Sequence, residues 1–402
     1  MSDRVSRLAV SGQFIAGGVG IGTWGANLPA LSARAGLNEG DLGLVLLCFA
    51  AGAIISMINA PRVIRRFTAS RAATAAGLLF GGAIALAAVG HTMALLAVIA
   101  LLAGTVFGAL DVTINAQAAD LERRRGEPMM ATFHGLFSAG GLLAAAGCGY
   151  LLRAGADVMV CLPAGGGAVA LVIVAMACVS SRPAADEPAA HRAGTGPAAA
   201  RVMPSRGRVV MLGVLAFLAM FAEGACFDWV AIYLVRVVGT TESVAAFGFA
   251  VFAGAMATGR LCGDYARRKF RAVVLLRAGA ATVAVALTLA LLGRDVPAIF
   301  IALAVAGLGM ANIIPIVFSV AGRFDGRDGG RALSRVLTMG YTGILVGPAF
   351  IGFMAHATTL TISLSAIVLA MVFIGAGGHV VDDTQPASPG VPARQKGGPD
   401  GR

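Results

Sequence analysis

Three carboxylates, Asp111, Glu223 and Asp228, fall inside long apolar stretches of this 402-residue sequence. A charge in hydrocarbon is costly unless it is neutralised, paired or turned to water, so such acids mark solute pathways and proton relays by default. Asn115 follows Asp111 by four residues, which puts both on one face of a helix. No basic residue lies close to Asp111 in its own stretch, so proton or solute work stands ahead of a structural ion pair. Glu223 sits mid-stretch and carries the same pair of readings. Because burial disfavours the charged form of an acid, Asp111 and Glu223 are the residues expected to exchange a proton. Asp228 is nearer the end of its stretch, where solvation alone is an equal account.

His134 begins a polar run that includes Ser138, and reads either as a hydrogen-bonded structural residue or as a shuttle with a pKa near neutrality. Asn312 and Pro315 offer an amide and a break in the backbone ladder, both useful at a polar cavity. Trp24 and Trp229, the two tryptophans, either stack on a ligand ring or form an interfacial aromatic belt. No metal-ligand cluster, nucleophile and base set or Walker loop is found, which argues against an enzyme, a metal site, a cofactor and direct ATP coupling.

The elements that must position these residues are helices in a membrane. The chain is 58% hydrophobic and 13% charged, with a mean hydropathy of +0.84; soluble domains carry roughly 25% charge. A crossing needs roughly 20 apolar residues at about 1.5 Å each. Apolar windows predict helices at 8–31, 42–64, 72–90, 93–119, 131–152 and 158–179, then at 209–235, 243–263, 272–292, 297–321, 333–355 and 358–378. The expectation is an all-α membrane protein with about twelve crossings in two related six-helix bundles, residues 1–180 and 208–380. The segment 181–207 is rich in Pro, Ala and Arg and is expected to be a cytoplasmic linker, and 381–402 a disordered cytoplasmic tail. The basic N-terminus before an apolar run resembles a signal peptide, but without a convincing cleavage site it is taken as an uncleaved first helix.

The net charge of +11 is read loop by loop. With a cytoplasmic N-terminus, 27 of the 31 Lys and Arg fall on cytoplasmic segments, leaving Arg34, Arg153, Arg236 and Arg294 outside. That is the positive-inside pattern. Clusters such as Arg123–Arg125 and Arg267–Lys269 are therefore assigned to topology and lipid headgroups, not to nucleic acid. The six cysteines lie in apolar stretches without metal-ligand spacing and are expected to be buried packing residues.

The halves echo each other. Gly22, Thr23, Trp24 in the first helix matches Phe227, Asp228, Trp229 in the seventh, and Gly108 precedes Asp111 as Gly309 precedes Asn312. Paired repeats are the usual build of secondary transporters, with the solute site between them near the bilayer midplane. The 55 glycines suit close helix packing in lipid, and Gly343, Gly347, Pro348, Gly352 mark either packing or a bend.

On these residues the chain resembles the major facilitator superfamily, within it the fucose-permease-like branch and its bacterial inner-membrane relatives, over about residues 13–378. The most specific piece is Leu110, Asp111, Val112, Thr113, Ile114, Asn115; others are Phe133–Ser138, Pro315–Ser319, and Gly259, Arg260, Gly263, Asp264. The resemblance implies proton coupling at Asp111, with Asp in place of the more usual Glu. It implies a cytoplasmic gate at Arg260, Asp264 and Arg267. The equivalent stretch in the first half keeps Arg62, Arg65 and Arg66 but lacks the acid. The first helix lacks the acid of hexose permeases, so fucose itself is not carried over.

The function expected is secondary active transport of a small polar, sugar-like solute across a bacterial inner membrane, proton-coupled by alternating access, with uptake preferred. Asp111 and Glu223 are the proton-coupling candidates, and Trp24, Asn27, Asn115, His134, Asp228, Trp229 and Asn312 the solute-binding ones. Expected partners are the solute, protons and lipids, with the chain a monomer. The alternatives are a drug or metabolite efflux antiporter and a non-transporting membrane sensor.

Overall fold

The computed structural model describes residues 3–125, 129–180, 205–322 and 326–382. Thirteen α-helices occur among these residues, and no strand. The first six are α1 (Asp3–Arg34), α2 (Glu39–Phe67), α3 (Ala69–Leu86), α4 (Met93–Arg125), α5 (Met130–Arg153) and α6 (Val158–Ser180). The second set is α7 (Arg206–Arg236), α8 (Glu242–Lys269), α9 (Ala272–Leu292), α10 (Val296–Met310), α11 (Ile313–Gly322), α12 (Gly326–Ala357) and α13 (Leu360–Gly377). Most of the expected linker 181–207 and tail 381–402 lies outside the described residues; Ser205 instead caps α7, accepting from Arg208 N.

Eleven elements among the described residues are long and apolar enough to cross a membrane, α10 and α11 counting together. The twelfth is α1, whose six glycines and Gln13, Thr23 and Asn27 make it less apolar. It packs among α5, α6 and α4, so much of its surface meets protein. Polar side chains are tolerated there because helix partners satisfy them: Thr23 donates to Val19 O and Asn27 to Thr23 O. The tenth crossing was expected to be continuous and is broken at 311–312. Pro315 has no N–H to offer the carbonyl of residue 311, which removes the bond that would carry the helix across.

The two six-helix bundles repeat one packing device. In the first bundle, a Cβ on Gly140 or Gly18 would run into the α1 or α5 backbone at Ile15 O or Phe137 O. In the second, Gly343 and Gly347 hold α12 against Phe217 O and Phe221 O of α7 in the same way. Helices in lipid gain nothing from hiding apolar surface against each other, so close backbone approach supplies the attraction. The Gly343–Gly352 run is therefore a packing face, and Pro348 is absorbed within α12. Gly36 and Gly239, at φ 64° and 80°, turn the chain after α1 and α7, a left-handed conformation that glycine adopts without a Cβ penalty.

The bundles meet through α5 with α8 and α2 with α12. At the end of the molecule away from the chain termini, Arg236 of α7 donates to Glu39 Oε1 of α2, Ser32 Oγ of α1 and Leu37 O, each at 2.6 Å. Nearby, Ser243 Oγ of α8 donates to Gly149 O of α5 at 2.7 Å. A Cβ on Gly43 would lie 3.0 Å from Gly352 Cα. These contacts seal that end. Of the cysteines, Cys148, Cys161 and Cys226 are buried as expected, but Cys178 and Cys262 are exposed; an apolar sequence window does not say which helix face looks outward.

Candidate functional site

At mid-depth one arginine holds an ion pair within the second bundle and a hydrogen bond to the first. Arg260 Nη2 of α8 donates to Glu223 Oε1 of α7 at 2.6 Å, and Nη1 donates to Ser138 Oγ of α5 at 2.9 Å. Glu223 and Arg260 are 8% and 9% exposed. Charges this buried persist because each supplies the other's counter-charge, and a guanidinium can serve two acceptors at once. Ser138 in turn donates to His134 O. His134 feels the charge of Arg260 and packs edge-on against Phe14, with ring centroids 5.5 Å apart.

Sequence reasoning assigned Arg260 to a cytoplasmic gate and counted it with the loop charges. The structure places it nine residues inside α8, next to Glu223, for which the sequence left a proton role and a structural ion pair both open. The helix continues to Lys269, so the Gly259–Asp264 motif lies within a helix and not after one. Arg267, the other basic gate candidate, donates to Ser319 Oγ of α11 at 2.6 Å. The side chain of Asp264 lies outside the described residues.

Asp111 is half-buried on α4. Its carboxylate accepts from Asn115 Nδ2 at 3.1 Å, the i, i+4 neighbour that the spacing implied. It lies within electrostatic reach of Tyr341 of α12, in the opposite bundle. Nearly two turns closer to the termini, Gln117 Nε2 donates to Gln13 Oε1 of α1 at 3.0 Å. Asp228 is also half-buried, and among the described residues its carboxylate has no hydrogen-bond or ion-pair partner. By the 3.6-residue period it lies on the side of α7 opposite Cys226 and Val230, which line an apolar crevice with Leu287 and Ile367.

The remaining candidates are mainly packing residues in this conformation. Trp229 is fully buried, and its indole N–H donates to Pro348 O at 3.1 Å. Trp24 is buried against Phe49, with centroids 5.6 Å apart, so neither tryptophan forms an interfacial belt. Asn27 is buried and donates to Thr23 O and Cys148 Sγ, leaving Oδ1 without a partner. Asn312 donates to Gly259 O at 2.9 Å, tying the broken tenth crossing to α8.

Tyr341, Gln13, Gln117 and the Arg236 cluster were not singled out. For Arg236 a signal existed: it is one of four cations on the side that the charge asymmetry leaves nearly empty. For Tyr341 there was none, because only the docking of the bundles brings it near Asp111.

Comparison with known proteins fits this architecture. A family model described as Major Facilitator Superfamily matches residues 9–324. An uncharacterized MFS-type transporter of Yersinia pestis is 32% identical over 368 residues, covering 92% of this chain and 94% of that one. Membrane protein MosC of Rhizobium meliloti is 29% identical over 387 residues, covering 95% and 91%. Among solved structures, a bacterial homologue of the human lysosomal transporter Spinster superposes with a TM-score of 0.74 at 14% identity, covering 94% and 96%. The transporter FucP in its outward conformation gives 0.64 at 16% identity, covering 94% and 98%. With two pseudo-symmetric bundles, polar groups gathered at mid-depth between them and a family match over most of its length, the chain belongs to the Major Facilitator Superfamily of membrane transporters.

Proposed function

We propose that this chain is a secondary active transporter that moves a small polar, sugar-like solute across a bacterial inner membrane and couples that movement to protons by alternating access. The observation that carries the coupling is Asp111: a half-buried carboxylate at membrane depth whose hydrogen-bond partner is the neutral Asn115. An acid without a counter-cation in low dielectric is stabilised by taking up a proton, and releases it when water or a cation reaches it. Coupling follows if protonation changes the balance between the two access states. Glu223 is the second candidate, but one of its carboxylate oxygens is held by Arg260. The basic excess assigns the termini to the cytoplasm, so the sealed end is the outer one and the protein is closed to the outside. In this reading the protein works as a monomer in lipid, and Asp264 with Arg267 forms a latch at the cytoplasmic end.

The test is accumulation of labelled polar solutes in proteoliposomes under an imposed pH gradient. Asp111→Asn, which keeps size and most hydrogen bonding, should abolish gradient-driven accumulation while leaving solute exchange. A folded variant that accumulates solute with unchanged pH dependence assigns Asp111 a structural role.

A further inference from the structure

We propose that the transported solute carries a cationic centre, a protonated amine being the simplest, and that Asp228 receives it at the closed end of the space between the bundles. The inference rests on the transport reading above and deepens it from a polar solute to a positively charged one. It begins with charge balance. Asp228, Glu223 and Asp111 lie about 12, 20 and 27 Å along their helices from the sealed end, at about 1.5 Å per residue. Two arginines lie at these depths among the described residues: Arg277 of α9 is exposed and donates to Gly375 O of α13, and Arg260 has its two terminal nitrogens engaged by Glu223 Oε1 and Ser138 Oγ. Asp111 has Asn115. Asp228 has nothing.

Hydrogen-bond supply points the same way. Glu223 Oε2 is a buried oxygen without a donor, one and a half turns from Asp228 on α7. A buried acceptor left without a donor is unfavourable, so this region is short of donors as well as of positive charge. An ammonium group brings three donors and no acceptor. A carboxylate or phosphate would add acceptors and repulsion where both are already in excess.

Position separates the roles of the acids. Asp228 adjoins the point where the bundles touch, since a Cβ on Gly25 of α1 would lie 3.2 Å from Phe227 O. It also follows the Gly224 face of α7, which meets Ile344 of α12. A cation there screens a carboxylate that the seal otherwise leaves uncompensated, and opening the seal exposes that carboxylate to outside water. Asp111, about 15 Å deeper by the same helix rise, remains free for the proton.

The test measures binding, not transport, so it does not depend on coupling. Thermal stability of the purified full-length protein is followed against matched hexose probes sharing one skeleton, D-glucosamine, D-glucose and D-glucuronate, and against matched inositol and aminoinositol. The expected result is stabilisation by amine members over their neutral partners, and none by the anionic one. Asp228→Asn should weaken amine binding at least about tenfold, whereas Asp111→Asn should retain it. Stabilisation by neutral or anionic members with no amine preference, no stabilisation by any amine, or an unchanged amine affinity in Asp228→Asn overturns the proposal. Accumulation that survives in Asp111→Asn would instead count against the coupling reading alone.

Discussion

Replacing Arg236 by Gln should open the sealed end. Arg236 bonds Glu39, Ser32 and Leu37 across the bundles, each at 2.6 Å. The ion-paired side chains are 25% and 28% exposed, so the pair itself is taken at the low value of about 0–1 kcal/mol for accessible pairs. Hydrogen bonds from a charged donor are each worth about 1.5–3 kcal/mol, and an amide in place of the guanidinium keeps one of the two at best. The net loss is then about 1.5–4 kcal/mol, a shift of roughly 10- to 1,000-fold in the ratio of sealed to open states. Spin labels at Ala154 and Ala298, exposed residues at the sealed ends of the two bundles, report it. Exposed Cys178 and Cys262 are first changed to Ser. The distance distribution by pulsed dipolar spectroscopy should lengthen in Arg236→Gln and in Glu39→Gln, less in the latter. A folded Arg236→Gln protein with the wild-type distribution would show that the cluster does not hold the bundles together.

Two further outcomes follow from the packing. Arg260→Ala strands Glu223 as a buried charge and should cost about 3–5 kcal/mol, whereas Arg260→Met combined with Glu223→Leu should recover most of it; detergent-solubilised thermal unfolding of the single and double variants separates the two cases. Gly352→Ala places a Cβ 2.6 Å from Gly43 Cα and 2.7 Å from Glu39 O, so it should wedge α12 from α2, lengthen the Ala154–Ala298 distance and slow solute exchange, and a wild-type exchange rate in this variant would refute the tight fit.

Much of the architecture was legible without coordinates because the bilayer imposes it. Backbone groups in hydrocarbon must bond within their own segment, so apolar runs of crossing length can only be helices. Their number and the two-fold echo of Trp24 in Trp229 follow from counting. Asp111 with Asn115 was also legible, since a partner four residues away is fixed by helix geometry alone. Partners on different helices were not. Arg260 read as a gate residue because its motif neighbours are Gly259 and Asp264, yet the packing of α7, α8 and α5 delivers it to Glu223 and Ser138. Trp229 read as a ligand platform until α12 closed over it and took its N–H.

The break at 311–312 was implicit in Pro315, but the amide of Asn312 found Gly259 O only because α8 runs beside it. The sequence by itself determined which residues lie in the membrane and at what depth, because depth is set by distance along a helix of known rise. Which of those residues meet, and which acid is left without a counter-charge, was decided by the rotation and docking of helices. Those depend on glycine contacts and side-chain shapes summed over many pairs, and no single segment carries them.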